Sequence, residues 1–232
     1  MVLEMNQQNE AIAILLANRS YLYRLLQRIF GGEPQAEVLK VVTDPHTREA
    51  LQLLLQEDEH LFDKHFEVLS EVARALAAEP EQTMDKLKSE YTYLFIGPNS
   101  LPAPPWESVY LTKERVLFQE STLNVRRAYL KYSFLPSNYP HEADDHLGLE
   151  LDFMAHLSQV AQDHFENGRL EEMKAILADQ QAFLRDHLLL WIGDFAQDIQ
   201  KSKTHYFYPP LADLTKHIVK IDAELLQELT AL

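Results

Sequence analysis

Asp145–Gly168 reads DHLGLELDFMAHLSQVAQDHFENG, and its apolar residues fall at helical spacing on two faces. Leu147, Leu151, Met154, Ala161 and Phe165 form one stripe; Leu149, Phe153, Leu157 and Val160 form another. A helix that is apolar on two sides must be covered on two sides, so this one belongs at the centre of a helical bundle. Asp144 or Asp145 is placed to cap its free N–H groups, acids in the first turn suit the helix dipole, and Asn167-Gly168 ends it.

The rest of the chain repeats the period outward from that helix. Ile12, Leu15, Leu16, Tyr23, Leu26 and Phe30 recur at three-to-four spacing until Gly31-Gly32. Asp44-Pro45 opens a second helix through Leu51, Leu54 and Leu55, with a cap and a first-turn proline. Leu61, Phe62, Phe66, Leu69, Val72, Ala73 and Leu76 predict a third, closed near Pro80. Met84, Leu87, Tyr91, Leu94 and Phe95 line a fourth, stopped by Gly97-Pro98. Glu120–Tyr132, Leu170–Gln200 and Leu211–Leu229 supply the others, the last two joined by an aromatic turn, His205–Pro210. No stretch combines period-two alternation with hairpin turn residues. The expectation is an all-α, bundle-like single domain over residues 1–232. Proline-rich crossovers interrupt it near 97–110, where Pro102, Pro104 and Pro105 forbid a helix interior, and near 133–144.

Composition narrows the function. The chain has 232 residues and a formal net charge of −15. That disfavours nucleic acid, whose phosphates need a basic face, and disfavours insertion at an anionic membrane surface. A basic partner would be drawn in by the same field. From Ser133 to Gly168 there is no Lys or Arg, while Glu142, Asp144, Asp145, Glu150, Asp152, Asp163 and Glu166 all fall there. There are no cysteines, hence no disulfide framework and no thiolate nucleophile. MVLEMNQQNE carries no basic leader region and no run approaches membrane-spanning length, so a cytoplasmic protein is expected.

Enzyme signatures fail on spacing. His141-Glu142-Ala143-Asp144-Asp145-His146 puts its histidines five apart, whereas a zinc-protease helix needs four. A di-iron bundle needs two Glu-x-x-His elements, and only Glu57–His60 has the spacing. There is no glycine-rich phosphate loop and no nucleophile turn. A looser metal site on His141, Glu142, Asp145 and His146, in a helical metal-dependent enzyme, stays open as the alternative.

Four motifs in order carry a resemblance. They are Tyr91-x-x-Leu94-Phe95-x-Gly97-Pro98, Pro104-Pro105-Trp106-Glu107-Ser108-Val109-Tyr110, Glu142-x-x-Asp145-His146-Leu147 and Phe207-Tyr208-x-x-Leu211-Ala212-x-Leu214-Thr215. Together they resemble the TorD/DmsD family of redox-enzyme maturation chaperones. The chain departs from the usual Glu-Pro-x-Asp-His at Ala143, which loosens the turn before the long helix.

The resemblance implies an all-helical chaperone, not an enzyme and without a cofactor of its own. It would bind the twin-arginine leader of a molybdenum-cofactor oxidoreductase, and in some members the apo-enzyme too, until the cofactor is inserted. Members have been linked to guanine nucleotides, for which this sequence has no motif. The implied leader-binding residues are Tyr91, Leu94, Phe95, Trp106, Glu107, Tyr110, Glu142, Asp145 and His146. A monomer or a domain-swapped homodimer fits the proline-bearing joints. The residues point the same way: acids beside apolar helix faces suit a leader with a basic start and an apolar centre.

Overall fold

A computed structural model describes residues 2–54, 59–98, 100–112, 114–136 and 141–231, without the side chains of 2–6 and 59–62. Expectations at Leu55, Glu57, Asn99 and residues 138–140, and at the side chains of His60, Leu61 and Phe62, lie outside the described residues.

The described residues form helices and no strand, as the periodicity predicts. In chain order these are α1 (Val2–Phe30), α2 (Ala36–Val42), α3 (Pro45–Leu54), α4 (Glu59–Ala78), α5 (Pro80–Tyr91), α6 (Glu107–Leu111), α7 (Glu120–Lys131), α8 (Leu147–Glu166), α9 (Leu170–Phe183), α10 (Leu189–Lys201) and α11 (Tyr208–Ala231). Two π-helical segments continue their neighbours, Thr92–Ile96 after α5 and Leu184–Leu188 between α9 and α10. No described helix is long and apolar enough to cross a membrane.

The sequence underlies most of these boundaries. Asp44 caps α3 by accepting from the His46 N–H at 2.9 Å, and Pro45 sits where a missing N–H costs nothing. Pro80 opens α5 in the same way. α11 starts at Tyr208, three residues before the expected Leu211, because Pro209 and Pro210 fit a first helical turn. The short helices α2 and α6 escape the period, having too few turns to show one.

α8 is the central helix, packed against α1 on one side and α9 on the other. Leu147, Leu151, Met154, Leu157 and Ala161 are completely buried, so both apolar stripes are covered. The α1 contact closes to backbone distance at its end. A β-carbon on Gly148 would lie 2.5 Å from the Gly31 α-carbon, so only glycine fits there. Gly31, which ends the apolar run of α1, therefore also admits the start of α8.

A buried polar network pins four helices together. Arg19 of α1 donates to both carboxylate oxygens of Asp222 on α11, at 2.5 and 3.0 Å. Tyr23 donates to the same carboxylate at 2.7 Å, and Arg19 also reaches Gln180 Oε1 on α9 at 3.0 Å. Gln180 in turn donates to Ser158 Oγ on α8 at 2.9 Å. Burial pulls the Arg19 guanidinium down, but the Asp222 charge and hydrogen bond, with Tyr23, together outweigh it and hold the group above its ordinary value.

Candidate functional site

The two irregular joints meet. Trp106, extended at φ −127° and ψ 131°, forms an antiparallel bridge with His146. Glu107 N donates to Asp145 O at 3.0 Å, and Leu147 N donates to Pro105 O at 2.8 Å. Prolines 104 and 105 keep their strand out of helix and leave its carbonyls free for this pairing. The bridge sets α6 and α8 starting side by side.

That geometry corrects the expected cap. Asp145 does not cap its own helix; its Oδ2 accepts from Ser108 N at 2.8 Å and caps α6. The pairing with Glu107 aims the Asp145 backbone at the proline strand, and the carboxylate follows it onto the α6 N-terminus. Asp144 pairs with Arg126 of α7 at 2.6 Å. The N-cap of α8 is His146, whose Nδ1 accepts from Gly148 N at 3.0 Å. Accepting there requires an unprotonated Nδ1, and burial lowers the imidazole's pKa, which favours that form.

Around the bridge the implied residues interlock. Trp106 Nε1 donates to Glu142 Oε1 at 2.8 Å, and its ring meets the His146 ring edge-on at 5.6 Å. Glu107 is fully buried and faces His187 Nδ1 at 3.0 Å. Glu150, one turn into α8 and equally buried, takes Trp191 Nε1 at 3.3 Å. Burial first, then the Glu107 and Asp145 charges, push Glu150 well above the ordinary carboxylate range. Ser108 Oγ, Asp145 Oδ1 and Glu150 Oε1 have no bonding partner among the described residues.

An aromatic run joins this cluster to the first motif. Tyr110 stacks on Trp191 at 5.5 Å, Trp191 meets Phe195 at 5.5 Å, and Phe195 stacks on Phe95 at 6.0 Å. Phe95 also packs on Tyr91, Phe30 and Tyr208. Tyr91, Leu94 and Phe95 thus face the core, and burial pushes the Tyr91 hydroxyl up to about 12. Beside them Glu90 accepts from Phe207 N at 2.9 Å and from Thr204 Oγ1, tying the fourth motif to the first.

So the structure draws Trp106, Glu107, Glu142, Asp145 and His146 into one cluster, with Tyr110 on its flank. Tyr91 and Phe95 join through shared aromatic neighbours, and Leu94 lies fully buried beside them. Glu150, His187, Trp191 and Phe195 complete it, and the sequence reading did not single them out. The one available signal was Glu150, an acid on an otherwise apolar face. The remaining three lie on helical segments without a motif.

The outer face of the first motif borders open space. Thr92, Tyr93, Gly97 and Pro98, with Leu101 and Pro102, line a cleft of about 720 Å³ that also takes in Asp85 and Lys88. Tyr93 and Ile96 are exposed while Leu94 and Phe95 between them are buried, so one π-helical turn supplies both core and cleft wall. No group of three or more His, Asp or Glu side chains able to hold a metal occurs among the described residues. His141–His146 does not form one: His146 caps a helix, Asp145 caps another, and Glu142 holds Trp106.

Residues 56–197 match the model of the nitrate reductase delta subunit family. The chain belongs to it. It is 33% identical to a probable Tat proofreading chaperone DmsD of Haemophilus influenzae, over 83% of this chain and 83% of that one. It is 29% identical to the chaperone protein TorD of Shewanella pealeana, over 90% of each, and 32% identical to the Tat proofreading chaperone DmsD of Salmonella typhi, over 83% of each. The protein is therefore a TorD/DmsD-type redox-enzyme maturation chaperone, and the metal-enzyme alternative is set aside.

Proposed function

We propose that this chaperone works in the cytoplasm on the twin-arginine leader of a molybdenum-cofactor oxidoreductase, binding it and delaying export until the cofactor is in place. The observation that carries the reading is the cleft walled by the outer face of the Tyr91–Pro98 motif. Its apolar members, Tyr93, Pro98, Leu101 and Pro102, suit the apolar centre of a leader. The aromatic run from Tyr110 through Trp191 and Phe195 packs on Phe95, the inner side of the same motif. The Tat proofreading role named for its relatives supports the same partner.

Magnitudes fit a binder that releases. Removing ~400 Å² of apolar surface at ~25 cal/mol/Å² gives roughly 10 kcal/mol gross. Association and ordering take back several kcal/mol, leaving affinity in the micromolar range, about −8 kcal/mol. Exposed arginine–carboxylate pairs add only about 0–1 kcal/mol each. The apolar cleft therefore sets affinity, and acids set orientation.

Calorimetric titration with twin-arginine leaders tests the reading. Tyr93→Ser and Leu101→Ser, which change the cleft wall from its solvent side, should weaken a micromolar leader by about tenfold each. Unchanged affinity in both would remove the cleft from the binding site. Asp145→Ala and His146→Ala should also weaken it, through loss of the two caps.

A further inference from the structure

We propose that the leader's arginines dock in a second groove, formed by α1, α3 and α11 and separate from the motif cleft. This rests on the leader reading and deepens it.

The acids nearest the motifs are occupied. Glu107 is buried against His187, Glu142 holds Trp106, and Asp145 is buried while capping α6. In the motif cleft Asp85 is offset by Lys88. An arginine pair arriving at that end finds these three carboxylates already engaged.

The other groove, of about 500 Å³, offers one. Its apolar surface includes Ile14, Leu53, Ile221 and Leu225, and its charged lining residues among the described residues are Glu224 and Glu228. These acids lie one turn apart on α11, both exposed, and neither has an ion-pair partner among the described residues. Ile14 is 50% exposed and Leu53 37% exposed, so apolar surface stands uncovered beside free negative charge. That combination complements a segment of two arginines followed by apolar residues, and opposes an acidic one. Apolar residues of the leader cover Ile14 and Leu53 while the guanidinium groups reach the carboxylates, a geometry arginine satisfies better than lysine.

The length of α1 sets the scale of the path between the two sites. Phe30, at the far end of α1, packs on Phe95 of the motif. Ile14 precedes it by 16 residues, about 24 Å at 1.5 Å per residue. An extended chain covers that in roughly eight residues at ~3.3 Å each. The arginines seat first, at α11, and the apolar stretch runs toward the motif cleft.

The test uses the whole chain and a leader that binds it, beside the same leader with Arg-Arg changed to Ala-Ala. Glu224→Lys/Glu228→Lys and the milder Glu224→Gln/Glu228→Gln are titrated with both, at low and high salt. A photoreactive residue is placed at Leu53 in one protein and at Tyr93 in another. The expected result is a roughly three- to tenfold loss for the arginine leader with the lysine variant, smaller with glutamine and smaller in high salt. The alanine leader should be indifferent, and cross-links should form from both Leu53 and Tyr93. Equal losses for both leaders, no loss for either, or cross-links from Tyr93 alone would overturn the second groove while leaving leader binding intact. No binding of any leader to the unaltered protein would overturn the leader reading as well.

Discussion

Two buried polar clusters in this molecule are built to different standards. Around Asp222, Arg19, Tyr23, Gln180 and Ser158 satisfy one another across α1, α8, α9 and α11, and none of their atoms is left buried and unbonded. Around Glu150, three carboxyls and a serine crowd behind the motifs, with Ser108 Oγ, Asp145 Oδ1 and Glu150 Oε1 unpartnered among the described residues. A buried polar atom without a partner costs on the order of 1–3 kcal/mol. The first cluster is a scaffold that fixes the helices. The second gathers buried carboxyls where the motifs converge, and their burial disfavours the charged form.

The widest gap between them should appear on removing one charge from the scaffold. Asp222→Ala leaves Arg19 buried without its partner and should cost about 3–5 kcal/mol in urea unfolding. Replacing both, Arg19→Met with Asp222→Leu, should cost clearly less. If the single and double variants lose equally, the ion pair is not what holds these helices.

Gly148→Ala comes next. The new methyl would meet the Gly31 backbone 2.5 Å away, and overpacking of this kind costs about 1–3 kcal/mol. Because the shift falls at the first turn of α8, it should weaken leader affinity too. A variant as stable as the parent would show that the α1–α8 contact can open freely.

Glu150→Gln should go the opposite way. A carboxyl whose folded pKa is raised contributes stability that is full below its unfolded pKa and lost as pH rises through the folded value. Glutamine escapes that loss and can still accept from Trp191. The variant should gain about 1–2 kcal/mol over the parent at pH 8 and little at pH 4. A loss at pH 8 would mean the ionised carboxylate is held by a partner, and the contrast between the clusters would fail.

Much of this was legible in the residues. The two stripes of α8 placed it centrally, and its burial on both faces follows from them. Gly31 ends α1, while Pro45 and Pro80 open α3 and α5, because such residues act locally. What stayed hidden is nonlocal. Nothing near Asp145 in sequence shows that its carboxylate would cap α6, 37 positions away, since that depends on how two proline-bearing joints pair. His146 stood among the implied leader-binding residues, and it caps α8 with its imidazole. Tyr91, Leu94 and Phe95 carry both core and motif signals at the same spacing. Only the fold shows that they face inward while Thr92, Tyr93 and Gly97 face the cleft.

The central claim is that the motif end of this fold receives a leader. Calorimetry of the protein against twin-arginine leaders of molybdoenzymes, each beside an Ala-Ala control and a version with a polar centre, tests it most directly. Micromolar binding to one or two leaders is expected, abolished by the polar centre and only weakened by the alanines. Silence across the panel, or binding indifferent to the apolar centre, would contradict it.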